Sequence, residues 1–173
     1  MLIIGPCKAE APPPLPPEAI AIQVRDELIE ISLEVHTLAA HEKAWKVLTD
    51  FEHMSEILPS LSLSEVVSRD GLVLQVHQRG KASFGMLSKA FDTHKQVTLE
   101  PERRILSHSE SPDVRSSDSE TELIDAPKGL NIRYRLKVQL LNANLAGIAG
   151  HALRQQTADN FTRLLAAMAA KPH

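Results

Sequence analysis

The strongest constraint on the fold is a run of strict alternation in the last third of the chain. Residues 130–140 place apolar side chains at every second position, with polar or charged side chains between them. This period of two predicts a β-strand with one buried face and one solvated face. Residues 115–124 form a second strand-like segment, and residues 126–129 (APKG) suit a tight connection. The chain must therefore accommodate an antiparallel hairpin.

Charged residues along these two strands predict the register of the hairpin. Placing Asp125 opposite Leu130 produces three opposite-charge pairs: Glu122 with Arg133, Glu120 with Arg135, and Asp118 with Lys137. Each exposed pair contributes only about 0.2–1 kcal/mol to stability. We therefore interpret the charges as register information, not as a nucleic-acid or membrane surface.

The same register places small hydroxyl side chains on the inner face of the hairpin. The facing pairs are Ser117 with Val138, Ser119 with Leu136, and Thr121 with Tyr134. A densely packed core would have larger apolar side chains at these positions. Two interpretations stay open: the hydroxyls bond the neighbouring backbone at a sheet edge, or they form the wall of a cavity.

The remaining segments read as further strands, two short helices and a long terminal helix. Residues 29–35 alternate like the hairpin, and two short helices at 41–50 and 51–57 end before Pro59. Further strand-like segments occupy 61–69, 72–80, 82–91, 94–100 and 103–110. In the terminal helix, residues spaced by three and four form one face: Gly150, Leu153, Thr157, Phe161, Leu164 and Met168. Gly150 and Thr157 are small where bulk is expected, so we expect space beside them.

Composition limits the class of function. A chain of 173 residues is long enough for one domain with a substantial core. Its net charge of −3 gives no support for a nucleic-acid partner, which needs a basic face. No segment approaches the ~20 apolar residues of a membrane span, so we expect no integral membrane segment. Aromatic residues make up 3% of the chain, so a pocket would have mainly aliphatic walls.

Metal and disulfide chemistry have little support in the sequence. Cys7 is the single cysteine, which excludes an internal disulfide and a multi-cysteine metal site. The eight histidines show no His-x-x-x-His or Glu-x-x-His spacing. We therefore expect neither a metal site nor a cofactor.

The N-terminal region reads as a separate segment. Residues 11–17 (APPPLPP) cannot form a helix or a central strand and indicate an extended linker. We predict a Pro-rich arm or linker over 1–22 and a single domain over 23–171. Residues 1–4 are too short for a signal-peptide core. The compartment stays open: cytoplasmic as the chain stands, periplasmic or exported if a secretion signal has been lost.

One stretch carries a resemblance to a known superfamily. Residues 40–71, AHEKAWKVLTDFEHMSEILPSLSLSEVVSRDG, contain Trp45, the run Leu48-Thr49-Asp50-Phe51, and Pro59. This pattern resembles the opening of the START/polyketide-cyclase (SRPBCC) superfamily. The resemblance extends over roughly residues 25–170. It is strongest to the coenzyme Q-binding START-type proteins and to bacterial cyclase/dehydrase-like proteins.

The resemblance implies an α+β helix-grip fold. In this fold a curved antiparallel sheet of about seven strands wraps around a long C-terminal helix, and two short helices follow the first strand. The short helices would close one end of a cavity, with Trp45 and Phe51 as anchors there. The residues that we expect to line the cavity are Leu74, Val76, Ser119, Thr121, Tyr134, Leu136, Leu153, Thr157 and Phe161.

The resemblance also implies a class of ligand. We expect the cavity to bind a hydrophobic small molecule (a lipid, an isoprenoid quinone or a polyketide-like compound), and transient membrane contact during ligand exchange is compatible with this. A non-catalytic carrier or sensor is favoured, because the inward hydroxyls make no nucleophile–base–acid arrangement and we assign no catalytic residue. A polyketide cyclase or aromatase-like enzyme is the alternative. A third class is an adaptor or chaperone that grips another protein.

Overall fold

The structure, a computed structural model, describes residues 11–84, 87–112 and 114–170. Cys7 lies outside these residues. The described strands are β1 (Ala21–Arg25), β2 (Leu28–Thr37), β3 (Leu61–Asp70), β4 (Val73–Phe84), β5 (Leu87–Glu100), β6 (Arg104–Ser111), β7 (Val114–Asp125) and β8 (Leu130–Leu140). The α-helices are α1 (His41–Thr49), α2 (Met54–Ile57) and α3 (Ala146–Ala169), and short 3-10 helices occupy Pro17–Ala19 and Ala143–Leu145.

The eight described strands form one antiparallel sheet in the order β1-β2-β8-β7-β6-β5-β4-β3. Helices α1 and α2 lie in the connection that carries the chain from β2 to β3 at the opposite edge. Helix α3 packs across the inner face of the sheet, mainly against β1, β2 and β4. This is the curved antiparallel sheet with a long C-terminal helix that the sequence predicts. No described helix has the length and hydropathy of a membrane span.

The predicted register of the β7–β8 hairpin is confirmed residue by residue, from Asp125 opposite Leu130 to Ser117 opposite Val138. Two of the three charge pairs make contact: Arg133 Nη1 lies 3.2 Å from Glu122, and Arg135 Nη1 lies 3.7 Å from Glu120. The third pair, Asp118 and Lys137, is opposite in register, but each side chain forms an ion pair with a residue of another strand. Asp118 binds His108 Nδ1 at 2.6 Å, and Lys137 Nζ lies 3.3 Å from Glu30.

The segment 72–100 differs from its predicted division into three strands. It forms one long hairpin, β4 with β5, in which Gly80 pairs with Phe91. The predicted strand 72–80 ended at Gly80, where the structure continues the strand. A Cβ at this position would lie only 2.0 Å from the carbonyl oxygen of Ser60. Gly80 therefore permits a close backbone approach within a continuous strand.

The N-terminal boundary also differs from the prediction. Leu15 N donates to Thr162 Oγ1 at 2.9 Å, Arg154 Nε donates to the carbonyl of Pro17 at 2.7 Å, and Ile20 is fully buried. The packed part of the chain thus begins within the segment 1–22 that we assigned to an arm. The prolines concealed this packing, because they predict an extended segment whether or not it docks.

Gly150 has a different role from the one predicted. A Cβ there would lie 3.0 Å from Val24 Cγ2 and 3.1 Å from Ile22 Cδ1. The absence of a side chain lets α3 approach β1 closely, so this end of the helix packs tightly and leaves no space beside Gly150.

Candidate functional site

The inner face of the sheet is built by the period-two alternation of its strands. Along β2, for example, Ile29, Ile31, Leu33 and Val35 are all buried, and they pair across to the buried face of β8. Helix α3 packs mainly on β1, β2 and β4, whereas β3 and β5–β8 are not among its main packing partners in the described residues. The helix therefore contacts the inner face of β5–β8 less than that of β1, β2 and β4.

Small hydroxyl side chains occupy this part of the inner face. Ser107 of β6 pairs with Ser119 of β7, and Ser109 pairs with Ser117. The hydroxyls of Ser107 and Ser119 lie 2.7 Å apart, so one donates to the other. All four serines are half-buried. The serines provide hydrogen-bonding groups, and their side chains are smaller than the apolar residues that usually fill a core.

Tyr134 lies next to these serines on β8, opposite Thr121 and Leu33. Its ring is tilted against that of Phe161 on α3, with the ring centroids 5.0 Å apart. Burial raises the pKa of Tyr134 to about 12, and a hydrogen bond with Ser119 acts in the opposite direction. The phenol thus stays protonated near neutral pH and can donate a hydrogen bond.

Lys95 adds a positive charge to the same face, and we did not single it out from the sequence. It lies on β5 between Val76 of β4 and Ser109 of β6. Its Nζ lies 5.8 Å from the centroid of the Phe51 ring. Burial lowers the pKa of Lys95 to about 8. The alternation of Lys95 with buried Val97 and Leu99 was the available signal, since it places the lysine on the inner face.

We refer to Lys95, Ser107, Ser109, Ser117, Ser119 and Tyr134 as the inner polar cluster. Apolar residues surround it: Val76 and Val97 are fully buried, and Leu74 and Leu136 are also buried. An amphiphilic molecule could satisfy such a wall, because its apolar part would meet the aliphatic residues and its polar part the cluster.

Helix α3 contributes the side of the candidate site that faces the sheet. Thr157 is buried, and its hydroxyl donates to the carbonyl of Leu153 at 2.7 Å. Because the Thr157 hydroxyl hydrogen is used in this bond, its oxygen can still accept a hydrogen bond but the group cannot donate a second one. Leu153 is half-buried and Phe161 is buried against the core.

The two predicted end anchors lie on the α1–α2 segment. Phe51 is buried, and Trp45 is half-buried and packs against the core. The structure thus places the predicted lining residues on the inner sheet face and on α3. That they line a bound ligand stays a prediction.

Two clefts open at other places on the surface. One, of ≈ 410 Å³, lies between Thr49–Glu52 and Val66, Ser68 and Arg69. The other, of ≈ 490 Å³, is lined mainly by outward side chains such as His108, Asp118 and Arg135. Phe51 borders the first cleft and Ser119 the second, and the other predicted lining residues border neither.

Comparison with known proteins identifies a family. Residues 39–162 match the profile of the family described as "Polyketide cyclase / dehydrase and lipid transport". No curated protein sequence matches the chain.

Solved structures of similar fold include two kinds of protein. The di-domain ARO/CYC protein BexL from the BE-7585A biosynthetic pathway has a TM-score of 0.69 at 16% identity, over 86% of this chain and 52% of BexL. The Zhui aromatase/cyclase from Streptomyces sp. R1128 has a TM-score of 0.69 at 13% identity, over 80% of this chain and 92% of its own. A STAR-related lipid transfer protein fragment from Xanthomonas axonopodis has a TM-score of 0.67 at 12% identity, over 87% and 98%.

These identities show a shared fold. The chain spans about half the length of BexL, a di-domain protein.

Proposed function

Because the chain belongs to the polyketide cyclase/dehydrase and lipid transport family, we propose that it binds a hydrophobic small molecule between α3 and the inner face of β5–β8. The observation that carries this proposal is the inner polar cluster within an aliphatic wall. The serines are small, and α3 packs mainly on other strands. A site of this composition suits a lipid, an isoprenoid quinone or a polyketide-like compound.

A carrier or sensor fits the chemistry of the wall better than an enzyme. Around the inner polar cluster, the inner face presents the ammonium group of Lys95, the phenol of Tyr134, the amide of Gln78 and hydroxyl groups. The carboxylate of Asp125 lies at the end of β7 away from Ser117 and contacts His41 Nδ1 at 2.8 Å. The phenol of Tyr134 holds its proton, because burial raises its pKa to about 12. The face therefore provides hydrogen bonds for a ligand, and its candidate base, Lys95, is still mainly protonated at pH 7 because its pKa is about 8.

A cyclase or aromatase-like enzyme that uses the same cavity is the second candidate. The protonated phenol of Tyr134, packed against the ring of Phe161, favours it, because a donor held in place could polarise a ligand carbonyl. Loss of turnover in Tyr134→Phe, with ligand affinity retained, would support this candidate over a carrier.

The proposed site is tested by filling it. Ser119→Phe adds a large ring on the inner face, so we expect it to abolish binding of the neutral apolar probe Nile red and to leave the circular dichroism spectrum intact. Ser32→Phe is the matched control, because Ser32 is exposed on the outer face of β2.

Two outcomes would contradict the proposal. Unfolding of Ser119→Phe would mean that Ser119 sits in a tightly packed core. Unchanged binding of the probe would place the ligand site elsewhere on the molecule.

A further inference from the structure

Lys95 differs from the other cations for which the structure records partners. On the outer face Arg104 binds Glu120, Arg133 binds Glu34 and Glu122, and Lys137 binds Glu30. Within the described residues Lys95 has no carboxylate partner, and its recorded contact is the ring of Phe51 at 5.8 Å. At this distance the face of an aromatic ring attracts a cation much more weakly than a carboxylate in direct contact would.

The neighbours of Lys95 supply no hidden anion. On either side along the inner face stand Val76, Val97 and Ser109. Near Phe51 in sequence, the Asp50 carboxylate binds His53 Nδ1 at 2.8 Å and Glu52 is exposed. Tyr134 on β8 is a neutral donor at pH 7. Asp125 lies at the end of β7 away from Ser117, and its carboxylate contacts His41 Nδ1 at 2.8 Å.

Lys95 is half-buried beside an apolar wall and has no described anion, so its ammonium group has unused capacity to bind one. The strand register also places Ser109 and Ser117 in one cross-strand row with Lys95. This row presents one cation and two hydroxyls, which together match the charge and the hydrogen-bond acceptors of a carboxylate.

We propose that the ligand is an amphiphilic organic acid whose carboxylate binds Lys95 beside Ser109 and Ser117, while its apolar chain lies against Val97, Leu74 and Leu136. This inference rests on the proposed function and adds the chemical class of the head group. The lowered pKa of Lys95, about 8, agrees with it, since the group is still mainly protonated at pH 7 and lacks an anion.

The test compares two ligands of equal chain length that differ in head group, dodecanoate and dodecan-1-ol. Their dissociation constants are measured at pH 7 by displacement of Nile red from the full chain. Wild type should bind dodecanoate about tenfold or more tightly than the alcohol, as a charge-assisted hydrogen bond predicts. Lys95→Met should remove this preference and leave the affinity for the alcohol unchanged. Lys137→Met, on the outer face, should retain the preference.

The pH dependence provides a second readout. Above pH 8 Lys95 loses its proton, so the preference for dodecanoate should shrink between about pH 7 and pH 9.5, whereas binding of dodecan-1-ol should stay constant.

The outcomes separate this inference from the proposed function. Equal affinity of wild type for the acid and the alcohol, or a preference that survives in Lys95→Met, would overturn the head-group assignment and leave the cavity proposal standing. Failure of wild type to bind Nile red and both ligands would overturn the proposed function itself.

Discussion

Lys95 and Tyr134 show how one environment acts on two ionisable residues. Burial disfavours the charged form of each group, so it lowers the pKa of Lys95 to about 8 and raises that of Tyr134 to about 12. Near neutral pH the candidate site therefore holds one cation and one neutral phenol donor. The combination favours ligands that bring acceptors or negative charge.

The same burial predicts the effect of Lys95 on the stability of the ligand-free protein. The unfolded chain holds the lysine proton up to its ordinary pKa of 10.5, whereas the folded chain releases it near pH 8. Stability should therefore rise with pH between 8 and 10.5, and below pH 8 the buried charge is a constant cost. Lys95→Met should raise the free energy of unfolding at pH 7 by about 1–2 kcal/mol.

Urea denaturation at pH 7 and near pH 10.5 checks this prediction. The gain of Lys95→Met over wild type should vanish at the higher pH, where wild type no longer buries a charge. A gain that is the same at both pH values would contradict it, because the effect would then come from packing alone.

At the scale of elements, the β7–β8 hairpin shows how register and contact are separate. The Glu122–Arg133 pair makes a 3.2 Å contact, whereas Asp118 and Lys137 are opposite in register and bind His108 and Glu30 instead. Sequence complementarity thus identifies which residues face each other. Side chains from the neighbouring strands β6 and β2 then determine which of the facing residues form ion pairs.

A double-mutant cycle tests this distinction. Glu122→Ala and Arg133→Ala should show a coupling energy of about 0.2–1 kcal/mol at low salt. The matched cycle on Asp118 and Lys137 should show no coupling beyond experimental error. Both cycles are measured by urea denaturation, and equal coupling in the two would contradict the contacts described here.

At the scale of the whole molecule, the fold was predictable because its strands alternate cleanly and its terminal helix has one apolar face. The START/polyketide-cyclase resemblance is confirmed, while the coenzyme Q-binding subtype stays a prediction. The N-terminal strand β1 was missed, because the prolines before it predict an extended segment and do not reveal docking. The β4–β5 hairpin was divided because the need for Gly80 depends on Ser60, a residue distant in sequence.

The candidate site was predictable only in part, for related reasons. Ser119, Thr121 and Tyr134 could be placed on the inner face because the β7–β8 register was readable from charge pairs. Lys95 was not singled out, because a lysine is expected on an outer face and its lack of an anionic partner depends on β4, β6 and Phe51 together. Whether a charged side chain has an ion-pair partner on another strand depends on the folded structure, so it could not be predicted from the sequence around Lys95.

The central claim, an internal site for a hydrophobic molecule, is tested most directly by native mass spectrometry of the purified full chain combined with lipid extraction. We predict that wild type retains a small apolar molecule as a one-to-one complex, that extraction identifies it as an organic acid, and that Ser119→Phe purifies without it. Ser32→Phe should retain the molecule. A wild-type protein that carries no molecule and takes up none from a lipid extract, or a Ser119→Phe protein loaded to the same extent, would contradict the account.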